Sequence, residues 1–576
     1  MIAKASGYFA FVLHSHIPYV LSHGRWPHGS DWLLEVTAES YIPLLDALYD
    51  LVEEGCSPKI TVGITPVLAE QLADESFKPE FAAYVRQKAK AAVEDRKAFS
   101  RLKDEPCLRL AEFWHDHYSG VLNRFRKRYD GSLPRAFAAL QDQGHIEIIT
   151  SSATHGYFPL LAQDVSIQAQ VKQGVTTYVR HFGCQPVGFW LPECAYRPSY
   201  RWSPPLQPKG RHIEPYDRKG VEEFLEENRL KYFIVGSHLL EGGETRGVYV
   251  DRFGALQTLW AQQAEEQGDE AAPKTLYSPY LVDAEKRTCQ PGISAFVRDE
   301  TTGSQVWSRQ HGYPGDVWYL EFHKKHSPGG LRYSRITGPE ADLGDKEVYD
   351  PGRAEARIHD HAAHFIRLAE EILCQHSQQT GEPGIICAPY DTELFGHWWF
   401  EGTRWFREVL KGMQASAVIE LTTCGEFLEK HPPSAAISLP EGSWGEGGFH
   451  YMWLNEETDW SWSYIYDAEL EMQELASKYG TNEEVLPILK QAARELLLLH
   501  SSDWQFSIST QTSKEYAEVR LTEHYKSFQR LVELVRTKAS GQPVDEDDWN
   551  FFKICEERDC LFPDIDPMWF AELEQT

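Results

Sequence analysis

The chain has 576 residues, and its 86 acidic against 57 basic side chains give a net charge of −29. Such an acidic surface repels phosphate backbones and anionic lipids, so neither nucleic acids nor membrane surfaces are expected partners, whereas a neutral ligand is not penalised. The 42% hydrophobic and 13% aromatic content excludes disorder, and the many aromatic side chains also suit stacking on sugar rings.

The cysteines and the first residues of the chain indicate in which cellular compartment the protein is expected. None of the ten cysteines forms a C-x-x-C pair, which argues against a zinc or redox motif and favours reduced thiols in the cytosol. The first twenty residues carry one early lysine, a short apolar run and no small-residue cleavage site, unlike a secretion signal. No run reaches the roughly 20 apolar residues that span a bilayer. We therefore predict a soluble cytoplasmic protein.

Seven short apolar segments recur between amphipathic helical stretches such as Trp32–Glu54 and Val221–Asn228. Nearly continuous apolar character is typical of strands buried on both faces of a parallel sheet. Seven such strands with long crossovers predict an α/β barrel. The predicted strands are Tyr8–His14, Lys59–Ile64, Ile146–Thr150, Val187–Leu191, Tyr232–Val235, Ile293–Val297 and Ile385–Ala388.

Two insertions interrupt the barrel, which we assign to residues 1–430. The first, residues 236–291, is far longer than a usual connection and is predicted to be a lid, and the second spans residues 316–352. Residues 431–576, after a boundary near Pro432-Pro433, are predicted to be a helical C-terminal domain that completes the substrate cleft. Its predicted helices are Tyr464–Tyr479, Glu483–Leu499 and Ser513–Lys538.

Histidines follow two of the predicted strands. His14 and His16 lie on one face of the first strand because side chains alternate with period two, and His155 follows the third strand. A His-x-His pair at a barrel mouth either binds a metal or donates hydrogen bonds to a ligand. Three histidines converging on one mouth favour a functional site, without deciding between these two roles.

Carboxylates follow two further strands. Glu193 comes after the fourth strand and Asp391 after the seventh, both among aromatic residues, where an acidic side chain without a purpose is costly. Glycoside cleavage requires at least two carboxyl groups that flank the sugar. Burial against aromatic residues raises the pKa of a carboxyl group, which suits one of the two as a general acid. Cys194 has no identifiable base beside it and is predicted to pack. Trp444, in the glycine-rich loop GSWGEGG, is predicted to stack on a ligand.

These segments together resemble glycoside hydrolase family 57 and, within it, the 1,4-α-glucan branching enzymes. The resemblance implies a (β/α)7 barrel with a helical C-terminal domain, and a retaining double displacement on an α-glucan polymer without a cofactor or a metal. The shared motifs run through nearly the whole chain: LHSHIPYV, RWPHGSDWLLEVTAESYIPLL, ITSSATHGYFPLL, GFWLPECAYRP, RDETTGSQVWSRQHGYPGD, APYDTELFGHWWFEG, GSWGEGG and LLLHSSDWQFS.

The resemblance also implies roles for individual residues. Glu193 would be the nucleophile and Asp391 the general acid/base. Tyr249 would tip the lid, although the segment 236–291 is expanded relative to the family pattern, and Thr512 aligns with a position that looks like Gln in relatives. The residues that would contact substrate are His14, His16 and His155 at the donor subsites, Trp26 and Trp307 at aromatic subsites, and Arg298, Gly315, Trp444 and Asp503.

Other functions stay open at this point. An α-amylase or a 4-α-glucanotransferase would use the same barrel-mouth residues, and only the lid and the acceptor side distinguish them. A metal-dependent polysaccharide deacetylase would explain the His-x-His pair but leaves Glu193 and Asp391 without a role. A non-catalytic glycan-binding protein would need the aromatic cleft but not the two carboxyl groups.

Overall fold

The computed structural model describes residues 6–25, 28–208, 210–242, 274–282, 292–308 and 311–571. Over these ranges, none of the helices combines the length and apolar character that a membrane crossing requires.

Seven parallel strands form the centre of the molecule and confirm the predicted barrel. Each pairs with its neighbours in the order β7-β1-β2-β3-β4-β5-β6. The ring closes where Arg298, at the end of β6, bridges to Cys387 of β7 in parallel. The strands are β1 (Gly7–Ser15), β2 (Ile60–Ile64), β3 (Ile146–Ser151), β4 (Gly188–Trp190), β5 (Tyr232–Val235), β6 (Ser294–Val297) and β7 (Gly384–Asp391).

The continuous apolar character of these strands follows from burial of both faces. In β1, Ala10 and Val12 enter one apolar cluster, while Phe9 and Phe11 enter another that extends into the surrounding helices. Since side chains alternate along a strand, each face supplies one of the two clusters. The strands of the barrel therefore carry apolar residues at both odd and even positions, one set for each face.

Helices surround the barrel and continue beyond it. The described α-helices are α1 (Ser30–Val36), α2 (Ile42–Glu53), α3 (Pro66–Ala73), α4 (Phe77–Leu102), α5 (Glu105–Lys127), α6 (Leu133–Asp142), α7 (Asp164–Phe182), α8 (Val221–Glu227), α9 (Ser237–Leu240), α10 (Glu300–Trp307), α11 (Pro351–Thr380), α12 (Gly402–Gln414), α13 (Cys424–Lys430), α14 (Asp459–Tyr479), α15 (Leu486–Leu499), α16 (Ser502–Ser509), α17 (Lys514–Ala539) and α18 (Glu546–Arg558). A π-helical turn, Thr37–Tyr41, joins α1 to α2.

Short strands lie outside the barrel ring. The strand Ile419–Leu421 pairs with β1, and the strand Tyr280–Val282 pairs with β6. A third short strand, Ala436–Ile437, pairs with Tyr280–Val282. The first residues after Pro433 thus extend the barrel sheet, and the helical region starts with α14. The domain boundary near residue 430 stays a prediction. Two hairpins complete the described strands, Tyr200–Trp202 with Tyr216–Arg218 and Lys325–His326 with Leu331–Arg332.

The C-terminal region is helical, as predicted. Helix α15, LPILKQAARELLLL, is buried on nearly all sides between α14 and α17. A helix that is apolar all round must be covered on all sides, which explains why its neighbours are long. Helix α16 follows directly and begins at Ser502, so the end of this buried helix fixes where residues 501–504 lie.

Candidate active site

The predicted site residues lie at the carboxyl ends of the barrel strands. His14 pairs in register with Asp391 across β1 and β7, and Glu193 follows β4 in a short 3-10 turn. His155 follows β3 and Arg298 follows β6. Because all seven strands run parallel, these side chains share one rim of the barrel, where active sites of such folds are found.

Glu193 is held by residues far away in the chain. The Trp444 indole Nε1 donates to Glu193 Oε2 at 2.8 Å, and the Ser502 hydroxyl donates to Oε1 at 3.0 Å. The residue adopts φ 60° and ψ 23°, a left-handed conformation that is strained for a non-glycine residue. Burial raises the pKa of Glu193 to about 7, although the hydrogen bonds from Trp444 and Ser502 work in the opposite direction.

Asp391 sits in a different environment at the end of β7. Burial raises its pKa well above the ordinary value, the charges of Glu393 and Glu193 raise it further, and Arg298 opposes them. Among the residues that the structure describes, no donor hydrogen-bonds to the Asp391 carboxyl group. The two carboxyl groups thus interact, and their neighbours differ: hydrogen-bond donors lower the pKa of Glu193, whereas negative charges raise that of Asp391 further.

Two histidines form a neutral pair beside Glu193. His14 Nε2 and His155 Nε2 lie 3.1 Å apart, and the His14 ring stacks on Trp190 with centroids 4.5 Å apart. His155 Nδ1 lies 3.0 Å from the Ser502 hydroxyl. Burial lowers the pKa of both imidazoles well below its usual value, so both are uncharged at neutral pH.

His16 carries the opposite electrostatic character. Its Nε2 lies 2.9 Å from Asp503 Oδ2, and its Nδ1 lies 3.0 Å from the Thr65 hydroxyl. Burial opposes a charged ring, but the Asp503 carboxylate outweighs burial and raises the pKa of His16. Burial likewise works against the charge of Asp503, yet its ion pair with His16 lowers the pKa of Asp503 to about 2.

His16, His155 and Asp503 also lie close enough together to surround a cation. Every ring nitrogen of these two histidines, however, already has a partner within the protein: Thr65 and Asp503 for His16, and Ser502 and His14 for His155. A metal would have to displace these contacts. The arrangement as it stands is an ion pair beside a neutral histidine pair, with the hydrogen-bonding capacity of His16 and His155 satisfied inside the protein.

Comparison with known proteins decides the family. Residues 10–440 match the model of glycosyl hydrolase family 57, and residues 464–570 match that of the C-terminal region of 1,4-alpha-glucan branching enzymes. The chain belongs to glycosyl hydrolase family 57.

Individual proteins of known structure are similar to this chain over almost its whole length. A 1,4-alpha-glucan branching enzyme of Thermococcus kodakarensis is 45% identical over 565 residues, 96% of this chain and 77% of that protein. Its crystal structure aligns at TM-score 0.88 and 41% identity, covering 98% of this chain and 97% of the other. A branching enzyme of Pyrococcus horikoshii aligns at 0.86 and 41% (99% and 98% covered), and the α-amylase AmyC of Thermotoga maritima at 0.79 and 28% (98% and 99%).

The other residues expected from family 57 occupy varied positions. Trp444 packs edge-on against Trp190, with the Arg298 guanidinium 6.0 Å from its ring, so besides any ligand contact it orients Glu193. Trp307 lies beside Trp398 with ring centroids 6.4 Å apart. Gly315 is exposed in the turn Tyr313–Gly315, and over the described ranges nothing links it to the two carboxyl groups. Trp26 and Tyr249 lie outside the described residues.

The departure from family 57 at Thr512 falls in an exposed turn. The Thr512 hydroxyl lies 2.9 Å from that of Thr510. The neighbouring Gln511 amide donates to Glu457 Oε2 at 2.6 Å, so this side chain is already engaged at the protein surface.

Sequence reasoning missed two side chains of the site, Glu393 and Ser502. The Glu393 carboxylate accepts hydrogen bonds from the His16 backbone and the Tyr41 hydroxyl. Its position two residues after Asp391, in the 3-10 turn that directly follows β7, is a signal that would have found it. Ser502 is 309 residues from Glu193 in the chain, and no local pattern indicates that contact.

Proposed function

We propose that this protein is a retaining 1,4-α-glucan branching enzyme that forms α-1,6 branches through a glycosyl-Glu193 intermediate. The observation that carries the proposal is that residues of the C-terminal region contact the site residues of the barrel. Ser502 and Asp503 belong to the region that matches branching-enzyme C-termini, and they contact Glu193 and His16 of the barrel. The region typical of branching enzymes therefore builds part of the cleft in which the chemistry takes place.

In the first step, Glu193 attacks the anomeric carbon of an α-1,4-glucan while Asp391 donates its proton to the leaving 4-oxygen. Trp444 and Ser502 donate to the attacking carboxylate and orient it. The raised pKa of Asp391 favours the protonated form that this step needs. The step breaks the C1–O4 bond, forms the C1–O bond to Glu193 and leaves Asp391 ionised.

In the second step, ionised Asp391 takes the proton from the 6-hydroxyl of an acceptor glucan, whose oxygen attacks the anomeric carbon and releases Glu193. The product is an α-1,6 branch, and both carboxyl groups return to their starting protonation states. Water in place of the acceptor gives hydrolysis, and a 4-hydroxyl gives disproportionation. The outcome depends on excluding water and positioning the acceptor.

The substrate contacts extend from this centre. We propose that His14, His16 and His155 line the donor subsite, because the donor sugar must lie against Glu193 and these rings lie beside it. We further propose that residues 236–291 act as a lid with Tyr249 at its tip. The remaining proposed substrate contacts are Trp26, Arg298, Trp307, Gly315, Trp444 and Asp503.

The polymer is proposed to be amylose-like or glycogen-like, and the reaction to serve glycogen biosynthesis in the cytoplasm. A net charge of −29 does not disfavour a neutral glucan. The cysteines in the described part of the chain are all free thiols, which suits a reducing compartment.

The deciding experiment incubates amylose with the protein and follows α-1,6 linkages by proton NMR together with reducing ends. New α-1,6 signal with few reducing ends is the expected result. Reducing ends without α-1,6 signal would replace branching by α-amylase activity, and altered chain lengths without either signal would indicate a 4-α-glucanotransferase. Activity abolished by a chelator and restored by metal would instead favour the deacetylase class.

A further inference from the structure

Glu393 is a buried carboxylate next to the proposed acid. It lies two residues after Asp391 and is 5% exposed. Its Oε1 accepts the backbone N–H of His16 at 3.1 Å and the hydroxyl of Tyr41 at 2.5 Å. Two donors converging on one oxygen are the arrangement that an ionised carboxylate accepts. These donors hold the carboxyl group in one place and oppose burial, which raises the pKa of Glu393.

The clamp on Glu393 comes from an unusual helical turn. The π-helical turn Thr37–Tyr41 presents two consecutive side chains to the loop after β7. Ser40 donates to the Glu393 carbonyl at 3.4 Å and accepts from the His397 backbone N–H at 3.0 Å, while Tyr41 donates to the carboxylate. Single π-helical turns are frequent at functional sites because they re-aim side chains. This turn therefore hydrogen-bonds to both the backbone and the side chain of Glu393.

The charged groups around Asp391 follow three strands of the barrel. Glu193 approaches from β4, Arg298 from β6 and Glu393 from the loop after β7 itself, while His16, after β1, acts on Glu393. His14, which pairs with Asp391 in register, is uncharged at neutral pH. Glu193 becomes esterified during the reaction and loses its charge, whereas Glu393 has no covalent role. Glu393 is therefore the negative neighbour that persists through both steps.

We propose that Glu393 is a positioning residue for the acid: clamped by Tyr41 and the His16 backbone, it orders the loop after β7 and holds a second carboxylate beside Asp391. The inference rests on the proposed function, in which Asp391 is the general acid. It goes beyond that function by giving a role to a third carboxylate and to the π-helical turn.

The test compares pH profiles of kcat/KM for branching in the full-length wild type and Glu393→Gln. The substituted amide still accepts hydrogen bonds but carries no charge, so the pKa of Asp391 falls. The alkaline limb of the profile, on which Asp391 loses its proton, is expected to move to lower pH by about one unit. Tyr41→Phe, which releases the carboxylate but keeps its charge, is expected to move the limb in the same direction by less.

Glu401 offers a matched control. It is fully buried, and its Oε1 also accepts one tyrosine hydroxyl, that of Tyr349 at 2.6 Å, and one backbone N–H, that of Leu320 at 3.2 Å. It faces Arg404 rather than the cleft. Glu401→Gln should therefore lower the melting temperature as much as Glu393→Gln does, without moving the alkaline limb.

An alkaline limb that stays in place in Glu393→Gln and Tyr41→Phe, or that moves equally in Glu401→Gln, would overturn the positioning role. These outcomes are distinct from a failure of the proposed function, because they require a wild type that branches amylose. A wild type without branching activity would contradict the function itself before any variant is compared.

Discussion

The carboxyl ends of β4 and β7 carry the same functional group in opposite settings. Glu193, after β4, receives both of its side-chain hydrogen bonds from residues that follow the barrel in the chain, Trp444 and Ser502. Asp391, at the end of β7, receives no hydrogen bond from the described residues and is surrounded by other acidic groups of the barrel. One carboxyl group is supported as an anion, and the other is kept neutral.

The difference shows how one barrel can hold an acid and a nucleophile at the same pH. Burial raises the pKa of both groups, so burial alone would make them alike. Hydrogen-bond donors lower the pKa of Glu193, and negative neighbours raise that of Asp391. The separation between the two pKa values therefore comes from the groups that the loops bring to each strand end.

Removing the nucleophile should have the largest effect. Glu193→Gln is expected to lower the branching rate by about three orders of magnitude, because the covalent intermediate cannot form. Binding of glucan, measured by affinity electrophoresis, should be retained. Turnover equal to that of the wild type would remove Glu193 from the mechanism, and a wild type that binds glucan without turnover would indicate a glycan-binding protein.

Removing the acid should be separable from removing the nucleophile by the choice of leaving group. Asp391→Asn is expected to lower the rate on amylose by about two to three orders of magnitude and to abolish the alkaline limb of the pH profile. Fluoride leaves without protonation, so formation of the glycosyl-enzyme from a maltosyl fluoride should be nearly restored in Asp391→Asn. The same substrate should not rescue Glu193→Gln, and an equal rescue of both variants would contradict the assigned roles.

Weakening the support of the nucleophile should move the other limb of the profile. Trp444→Phe keeps the aromatic packing on Trp190 but removes the donor to Glu193, whose pKa then rises above about 7. Activity, which requires ionised Glu193, should start to appear at higher pH, with a loss of about tenfold at pH 7. Ser502→Ala should act in the same direction, and a shift of the alkaline limb instead would mean that Trp444 acts on Asp391.

Another buried carboxyl group, outside the site, tests whether a raised pKa by itself indicates a role in catalysis. Burial raises the pKa of Glu469, on α14, to about 8, and its Oε2 accepts the Ala162 N–H at 2.9 Å. The folded-state pKa of Glu469 lies above its unfolded value. The contribution of this carboxyl group to the free energy of unfolding is therefore fully present below about pH 4.5 and is lost as the pH rises through 8.

Glu469→Gln should therefore raise the melting temperature at pH 9 by about 2 °C relative to the wild type, and not at pH 5. Its pH–rate profile should match that of the wild type. A changed alkaline limb in this variant would show that charges more distant than Glu393 also control the acid.

Local pattern predicted the strands and the polar side chains at their ends. The continuous apolar runs of the seven strands, and the histidines and carboxylates directly after them, are visible within about ten residues of chain. Parallel strands bring their carboxyl ends to one rim, so His14, Glu193 and Asp391 were expected together from such short-range information. Trp444 was expected at the site from its glycine-rich loop as well, whereas Asp503 came only from the family resemblance, since it follows no strand of the barrel.

The amino-acid sequence by itself determined the barrel class and the position of the two carboxyl groups, because burial of both strand faces requires continuous apolar runs, and the polar residues directly after them stand out. Only the tertiary structure decided how each carboxyl group is tuned. The contacts Ser502–Glu193 and Tyr41–Glu393 join residues 309 and 352 positions apart. A contact across that distance depends on how helices pack on the barrel, and it leaves no periodic mark in either segment.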